Sequence, residues 1–233
     1  MNNQNIRNML SGVIGWSWPV LLAFAVTPYL LEGLGEEGFG IRSILIMLVG
    51  YFSMINFGLS GAVTKYMSEY VKIDNNYVKD VLSTSFWIHI ILGVAGGLAL
   101  SLISYYLINE LFQISKDLKN EAITALRISA FSFIFTMMNS WAGAVVSGNH
   151  RYDILNYMMS LYGTLTLVGS FILVETGHGI IGIAVANLFA SICLVIVYAY
   201  VFKQLNLLII LEIKIKKRVA TRLFKFGSHF FIF

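Results

Sequence analysis

The sequence predicts an all-α polytopic membrane protein, and three observations support this. Hydrophobic residues make up 58% of the 233 residues and charged residues 12%, about half the charged share of a soluble domain. The apolar residues fall into long runs, each able to cross a hydrocarbon layer of about 30 Å as a helix. Short segments rich in glycine or charge separate the runs. We expect a six-helix transmembrane lobe over residues 1–202.

The six predicted helices are close together in the sequence, and their connections indicate which helices are neighbours. The segments EGLGEEGFG (Glu32 to Gly40) and GNHRYD (Gly148 to Asp153) are tight turns, so each should join two helices as a hairpin. Pro19 lies in the middle of the first helix, where it removes a backbone hydrogen bond and should cause a kink. The helices are expected at residues 9–31, 41–63, 81–108, 122–147, 154–174 and 180–202.

The second helix carries the most informative residues. On a helical wheel its glycines lie on one side with Lys65, and a polar stripe lies beside them. Glycines let a neighbouring helix approach closely, and polar groups in hydrocarbon need partners, so both faces should meet protein or a watery cavity. The sequence alone does not decide whether these two faces pack against other helices or line a cavity. The glycines are Gly50, Gly58 and Gly61, and the stripe is Ser53, Asn56, Ser60 and Thr64.

The distribution of basic residues predicts the orientation in the membrane. Twelve of the 16 Lys and Arg residues lie in the N-terminal tail, the 65–80 loop, the 148–153 turn and the 203–225 segment, and only three lie in the alternate connections. Cytoplasmic loops carry such an excess. We therefore expect a multi-pass protein of a bacterial or archaeal cytoplasmic membrane with a cytoplasmic N-terminus. The first helix lacks a cleavage site and should remain as an anchor.

Residues 203–224 form a basic, amphipathic cytoplasmic linker. Its cations alternate with apolar residues, a pattern typical of helices on an anionic membrane surface, so membrane lipids are expected partners. The same pattern also fits a solvated cytoplasmic loop, whose basic residues would only reflect the orientation of the protein in the membrane. We expect residues 225–233 to form the start of a seventh transmembrane helix, within which the given sequence would end.

The sequence contains no catalytic or metal-binding motif. Cys193 is the only cysteine, and the four histidines are too far apart for a metal-binding pair. All twelve acidic residues fall in predicted loops or at helix ends, whereas an enzyme acting within the membrane usually keeps ionisable groups there. We therefore favour transport over catalysis, and we expect no cofactor, no metal and no nucleic acid ligand.

Arg127 is the one cation that cannot be placed in a loop, and its guanidinium can pair with a phosphate. On the helical wheel it lies opposite a stripe of small and polar residues. If that stripe lines a cavity, Arg127 points away and snorkels to the outer headgroups. If Arg127 lines the cavity, the stripe packs between helices. The stripe consists of Ser129, Ser132, Thr136, Asn139, Ser140, Gly143 and Ser147.

Other polar residues have two interpretations each. Lys65 either meets a phosphate at the cytoplasmic end of the second helix or anchors that helix. His89 is either a proton-coupled group and anion donor or a hydrogen-bonded packing residue. Asn56, Asn139 and Asn187 either bind sugar hydroxyls or bond helix to helix.

Five segments spread over the chain form an ordered pattern. They are TPYLLEGLGEEGFG at 27–40, GYFSMINFGLSGAVTKY at 50–66, GNHRYDILN at 148–156, GIIGIAVANLFAS at 179–191 and LFKFGSHFF at 223–231. In order and spacing, the pattern resembles the bacterial polysaccharide (O-antigen-type) flippases of the multidrug/oligosaccharidyl-lipid/polysaccharide (MOP) exporter superfamily.

The resemblance implies two pseudo-symmetric lobes around a central cavity that opens alternately to each side, of which this chain would be the amino-terminal half. The implied substrate is an oligosaccharide on a polyprenyl pyrophosphate, moved from the inner to the outer leaflet for synthesis of lipopolysaccharide or capsule. Cations in the cavity of such proteins attract the pyrophosphate, so the resemblance makes Arg42, Lys65 and Arg127 candidate substrate-binding residues.

Several alternatives remain at this point. A drug or cation exporter of the same superfamily has a similar topology, but it commonly carries a coupling carboxylate in its first lobe, which the predicted helices lack. A flippase for a peptidoglycan precursor is also compatible. Two further alternatives are a non-transporting assembly partner of polysaccharide polymerases or glycosyltransferases, and a membrane enzyme such as a sugar acyltransferase. The enzyme would require an embedded acidic or histidine pair.

Overall fold

The computed structural model is all-helical over the residues it describes, which are 3–56, 58–112, 114–205, 207 and 215–229. Five of its helices are long and apolar enough to cross a membrane, which confirms the predicted all-α polytopic membrane protein. Parts of the predicted linker (208–214) and of the seventh helix (230–233) lie outside the described residues. The helices are α1 (Asn3–Ser53), α2 (Leu59–Tyr70), α3 (Asn75–Tyr106), α4 (Lys116–Gly148), α5 (Tyr152–Glu175), α6 (Gly179–Gln204) and α7 (Lys217–His229), and a π-helical segment, Leu107–Leu111, continues α3.

Helix α1 is interrupted at Gly35. The backbone there has φ 69° and ψ 172°, a left-handed conformation that glycine adopts without steric cost. The predicted turn over Glu32 to Gly40 is therefore wrong in extent, because the helix continues on both sides of this single residue. Within α1, the backbone leaves helical geometry at Gly35 and not at Pro19. Pro19 instead packs closely on α5, where a Cβ added to Gly163 would lie 2.9 Å from the proline Cβ.

The two arms of α1 run in opposite directions. In the first arm (3–34), Ser11 accepts a hydrogen bond from Asn156 in the first turns of α5, and Gly33 packs against Val174 at the other end of α5. The first arm is therefore parallel to α5. In the second arm (36–53), Glu37 accepts a hydrogen bond from the backbone N–H of residue 115 just before α4, so this arm starts where α4 starts. Because the turn at 149–151 makes α4 and α5 antiparallel, α1 is a hairpin of two crossings and the lobe has the six crossings predicted.

The predicted second helix, 41–63, is wrong in its continuity. Helix α1 ends at Ser53, a single 3-10 turn follows at Met54–Asn56, and α2 begins only after Gly58, which has φ 65°. This left-handed residue redirects the chain, because an α-helix cannot continue through it. The predicted 65–80 loop is also shorter than expected. Helix α2 continues to Tyr70, and Asp74 caps α3 by accepting hydrogen bonds from the N–H groups of the two residues at 76 and 77.

Glycines hold α3 and α4 together. A Cβ on Gly97 would lie 2.6 Å from the carbonyl oxygen of Ala130, and a Cβ on Gly96 would lie 2.6 Å from the ring of Phe133. Gly93 makes a similar approach one turn earlier, against the backbone of residue 134 at 3.1 Å. Such close backbone contact is the usual role of small residues between membrane helices. This contact fixes the position of α4, which carries most of the polar residues described below.

One end of the lobe, here called the basic end, contains the end of α2, the start of α3, the α4–α5 turn and α7. In the turn, Arg151 donates two hydrogen bonds, of 2.9 and 3.1 Å, to the fully buried Asp153. Helix α7 begins at Lys217 and therefore spans the predicted boundary at residue 225 between the linker and the seventh helix. Helix α7 packs across α2 and α3. Gly35 lies at the opposite end of the lobe, here called the Gly35 end.

Candidate functional site

Two adjoining cavities run along α4 inside the lobe. The first has a volume of 340 Å³ and lies toward the Gly35 end, and the second has a volume of 480 Å³ and lies toward the basic end. Thr136 and Tyr162 line both. We call them the Arg42 cavity and the Asn139 cavity. All seven residues of the polar stripe on α4 line one or both of them: Ser129, Ser132, Thr136, Asn139, Ser140, Gly143 and Ser147.

The Arg42 cavity contains the only charged side chain among the described residues that line either cavity. Arg42 is half-buried, and its guanidinium carbon lies 5.2 Å from the centre of the Phe39 ring, a cation–π contact. Its buried Nε has no hydrogen-bond partner among the described residues. A partly desolvated guanidinium with an unused donor is suited to a phosphate or carboxylate oxygen, because guanidinium groups bind such oxyanions in a planar, bidentate way.

The Asn139 cavity has one polar wall and one apolar wall. Ser60 and Thr64 of α2 and Asn139 of α4 contribute to the polar wall, and Met158 and Leu194 contribute to the apolar wall on α5 and α6. The amide of Asn139 donates to the carbonyl oxygen of residue 191 at 3.0 Å, but its own Oδ1 is buried without a partner among the described residues. This oxygen can accept a hydrogen bond from a hydroxyl or amide group of a ligand.

A hydrogen-bonded network holds the polar wall in place. Asn56, in the 3-10 turn before α2, donates to the hydroxyls of Ser60 (2.8 Å) and Ser140 (2.9 Å). Those two hydroxyls are 2.8 Å apart. Fully buried His89 lies 3.4 Å from Ser60 through Nε2, and its Nδ1 contacts the carbonyl oxygen of Ser85 at 2.7 Å. Since a carbonyl can only accept, Nδ1 carries a proton, and in the neutral imidazole Nε2 is then an acceptor. Asn56 and His89 therefore join α2, α3 and α4 behind the cavity surface.

Two of the candidate cations lie outside both cavities. Arg127 is exposed on the other side of α4, next to Phe131, whose side chain is 54% exposed. Lys65 lies at the basic end, with Nζ 3.9 Å from Glu69 and 4.3 Å from the centre of the Phe226 ring. The structure therefore brings Arg42 and Asn139 to the cavities, puts Asn56 and His89 behind the polar wall, and leaves Arg127 and Lys65 elsewhere.

Tyr162 is a cavity residue that the sequence analysis did not identify. Its hydroxyl donates to Oδ1 of Asn187 at 3.3 Å, which links α5 to α6 at the junction of the two cavities. Two other residues of α5 contact the first arm of α1 instead: Asn156 donates a hydrogen bond to Ser11, and Gly163 packs on Pro19. The available signal was a tyrosine in the middle of a predicted membrane-crossing helix, because a buried phenol usually needs a partner.

Comparisons with known proteins agree with this architecture. The chain matches the polysaccharide biosynthesis protein family over residues 6–233. It is 27% identical to an O-antigen transporter of Shigella flexneri over 225 residues, which cover 96% of this chain and 52% of that protein. It is 23% identical to an O-antigen transporter of Salmonella typhi over 238 residues, with 97% and 53% covered. The chain thus spans about half the length of these relatives.

Solved structures show the same fold. One is a MOP superfamily transporter from Pyrococcus furiosus, with a TM-score of 0.71 and 18% identity over 96% of this chain and 50% of that protein. Another is an outward-facing multidrug resistance MATE family transporter, with a TM-score of 0.75 and 16% identity over 96% of this chain and 51% of that protein. From the match over residues 6–233, we conclude that this chain belongs to the polysaccharide biosynthesis protein family.

Proposed function

We propose that this chain forms one lobe of a transporter that moves a polyprenyl-pyrophosphate-linked oligosaccharide from the cytoplasmic to the outer leaflet. The observation that carries the proposal is the pair of adjoining cavities, whose described lining residues combine hydroxyl and amide groups, one cation, Arg42, and an apolar wall. A lipid-linked sugar has matching parts: hydroxyls, a pyrophosphate and a hydrocarbon chain. The relatives named as O-antigen transporters support the same substrate class.

Each cavity has a separate role in this proposal. Arg42 binds a pyrophosphate oxygen at the Gly35 end of the lobe, where its unpaired Nε is available. Asn139 accepts a hydrogen bond from a sugar hydroxyl through its unpaired Oδ1, and Tyr162 contacts substrate at the junction. No residue in this assignment performs bond chemistry, so the role is transport and not catalysis.

Transport in this proposal proceeds by alternating access. The basic end faces the cytoplasm, because the excess of Lys and Arg lies there, and the Gly35 end faces the outer leaflet. Substrate enters from the cytoplasmic leaflet and leaves toward the Gly35 end. Gly35, which directly precedes the second arm of α1, and Gly58, which follows the 3-10 turn after it, both have positive φ angles. A change in a few dihedral angles at these positions would tilt this arm relative to α4.

The test compares two arginines of the same protein. We would express it from its complete reading frame, reconstitute it in liposomes, and measure movement of a labelled polyprenyl-pyrophosphate oligosaccharide between leaflets. Arg42→Gln should slow translocation about 10- to 100-fold, because a hydrogen bond to a charged group contributes about 1.5–3 kcal/mol. The matched control Arg127→Gln removes an arginine outside both cavities and should retain the wild-type rate. Equal rates in Arg42→Gln and wild type would refute the role of Arg42.

An exporter of amphipathic drugs is the second candidate. It is favoured by the multidrug transporter fold and by the apolar wall of Met158, Met159 and Leu155. However, none of the described residues that line the cavities is a carboxylate. Efflux of a lipophilic cationic dye by liposomes that do not translocate any sugar-lipid would replace the first proposal with this one. If neither substrate moves, and the protein co-purifies with a polysaccharide polymerase or glycosyltransferase, an assembly role takes its place.

A further inference from the structure

The basic end contains a built surface that the proposed transport cycle does not use. Helix α7 packs there through Val219 and Leu223, which are 4% and 0% exposed. Its start is fixed to α3 at two points. Lys216 Nζ forms an ion pair with Asp80 at 2.7 Å, and the backbone N–H of Lys216 donates to Thr84 Oγ1 at 3.1 Å. The helix therefore has a defined position across the ends of α2 and α3.

Aromatic rings and cations alternate where α7 crosses those helices. Tyr66 makes edge-to-face contacts with Tyr77 at 6.4 Å and with Phe226 at 6.2 Å, measured between ring centres. Arg222 donates a hydrogen bond of 3.3 Å to the Tyr77 hydroxyl, and Lys65 lies over Phe226. Tyrosine next to Lys and Arg is typical of side chains at the level of lipid headgroups.

A cleft of 330 Å³ opens within this cluster and is lined by Tyr66, Arg222, Lys225 and Phe226. Its two cations are three residues apart on one helix face and are exposed. Two carboxylates of the described residues at this end are paired with other cations, Glu69 with Lys65 and Asp80 with Lys216. The described residues that line the cleft are two cations and two aromatic residues, with no carboxylate among them.

The surface beside the cleft combines further charge with exposed apolar groups. A neighbouring groove shares Lys225 with the cleft and is lined by Lys217 and by Phe224, which is 42% exposed. Ile215, shortly before the helix begins, is 49% exposed. A soluble anion would leave these apolar side chains in water. A phospholipid would cover them with its acyl chains while its phosphate met the cations, as amphipathic basic helices do at membrane surfaces.

We propose that this cleft binds the headgroup of an anionic phospholipid, with the phosphate between Arg222 and Lys225 and an acyl chain against Phe224. The site is independent of the transport cavities and does not rest on the proposed function. It fixes α7 to the membrane surface at the basic end of the lobe.

Native mass spectrometry of the detergent-solubilised chain tests this site. We expect phosphatidylglycerol to bind more tightly than phosphatidylethanolamine with the same acyl chains. Each cation near an anionic surface contributes about fivefold, so Arg222→Gln with Lys225→Gln should weaken phosphatidylglycerol binding about 30-fold. The matched control, Lys72→Gln with Lys203→Gln, removes the same charge from exposed residues at the same end and should retain binding. Tyr77→Phe controls for loss of the Arg222 hydrogen bond and should also retain it.

Three outcomes would overturn the proposal. Equal binding of the two lipids would show that headgroup charge is not recognised. Equal losses in the two double variants would show diffuse attraction and not a site. Displacement of bound phosphatidylglycerol by millimolar inorganic pyrophosphate would show a simple anion site, with no contribution from the acyl chain.

Discussion

Gly97→Ala should destabilise the lobe at the contact between α3 and α4. The added Cβ would lie 2.6 Å from the carbonyl oxygen of Ala130, about 0.8 Å closer than the 3.4 Å at which ordinary contact begins. The atom it meets belongs to the backbone, so no change of rotamer relieves the clash. The two helices must separate, and the neighbouring contacts of Gly93 and Gly96 loosen with them.

The size of the effect follows from two opposing terms. Overpacking of a well-packed contact costs about 1–3 kcal/mol. Alanine recovers up to about 1 kcal/mol through its higher helix propensity. We therefore expect a net loss of about 1–2 kcal/mol in the free energy of unfolding. Gly40→Ala is the matched control, because nothing lies within 4 Å of a Cβ added at this exposed position in the second arm of α1. It should be neutral or slightly stabilising.

Reversible unfolding of the purified chain in mixed micelles, followed by circular dichroism, gives the two free energies. The prediction concerns the difference between the two free energies of unfolding, so a contribution of the detergent that both variants share cancels. A Gly97→Ala protein as stable as Gly40→Ala would show that α3 and α4 are not in tight backbone contact, and the argument for a rigid α4 would fail.

Three further predictions concern polar and backbone groups. Glu121→Ala should lower the free energy of unfolding by about 1 kcal/mol, because Glu121 accepts a 2.6 Å hydrogen bond from the N–H of Ile180 at the start of α6. The same unfolding assay checks this prediction, and Glu121→Gln should recover most of the lost stability. Gly58→Ala should cost about 1–2 kcal/mol at φ 65°, whereas Gly58→Asn should cost less, and equal stabilities would contradict the left-handed conformation. Asp80→Asn removes the ion pair with half-exposed Lys216 and should lower the free energy of unfolding by less than about 1 kcal/mol. Amide hydrogen exchange in α7 should nevertheless become faster. Unchanged exchange would show that this ion pair does not hold α7 in place.

Hydropathy predicted the membrane-crossing helices well, because crossing a hydrocarbon layer constrains every residue of a helix at once. The exact position of each break was not predictable in the same way. The sequence predicted a turn over Glu32 to Gly40, but only tertiary packing decides that Gly35, among the glycines of this segment, takes a positive φ. The break at Gly58 falls inside a run that was predicted as one helix. A helical wheel assumes a continuous helix, so the faces drawn for 41–63 could not indicate the turn at Met54–Asn56.

The candidate site was predictable where the signal was a pattern and not where it was a single residue. The small polar residues of α4 recur along one face, and this face lines both cavities. By contrast, Arg127 and Arg42 each lie near the end of a predicted helix, and the sequence does not say which helix face a neighbour covers. Packing of α4 on α3 and α6 decides that Arg127 is outside, and packing of the second arm of α1 decides that Arg42 is inside.

Thr136 and Tyr162 line both cavities and therefore form the boundary between them. Because side chains make this boundary, a change in the χ1 angle of Tyr162 would alter how the two cavities meet while α3 and α4 stayed locked through their glycines. A substitution at position 162 is therefore expected to change the shape of both cavities at once.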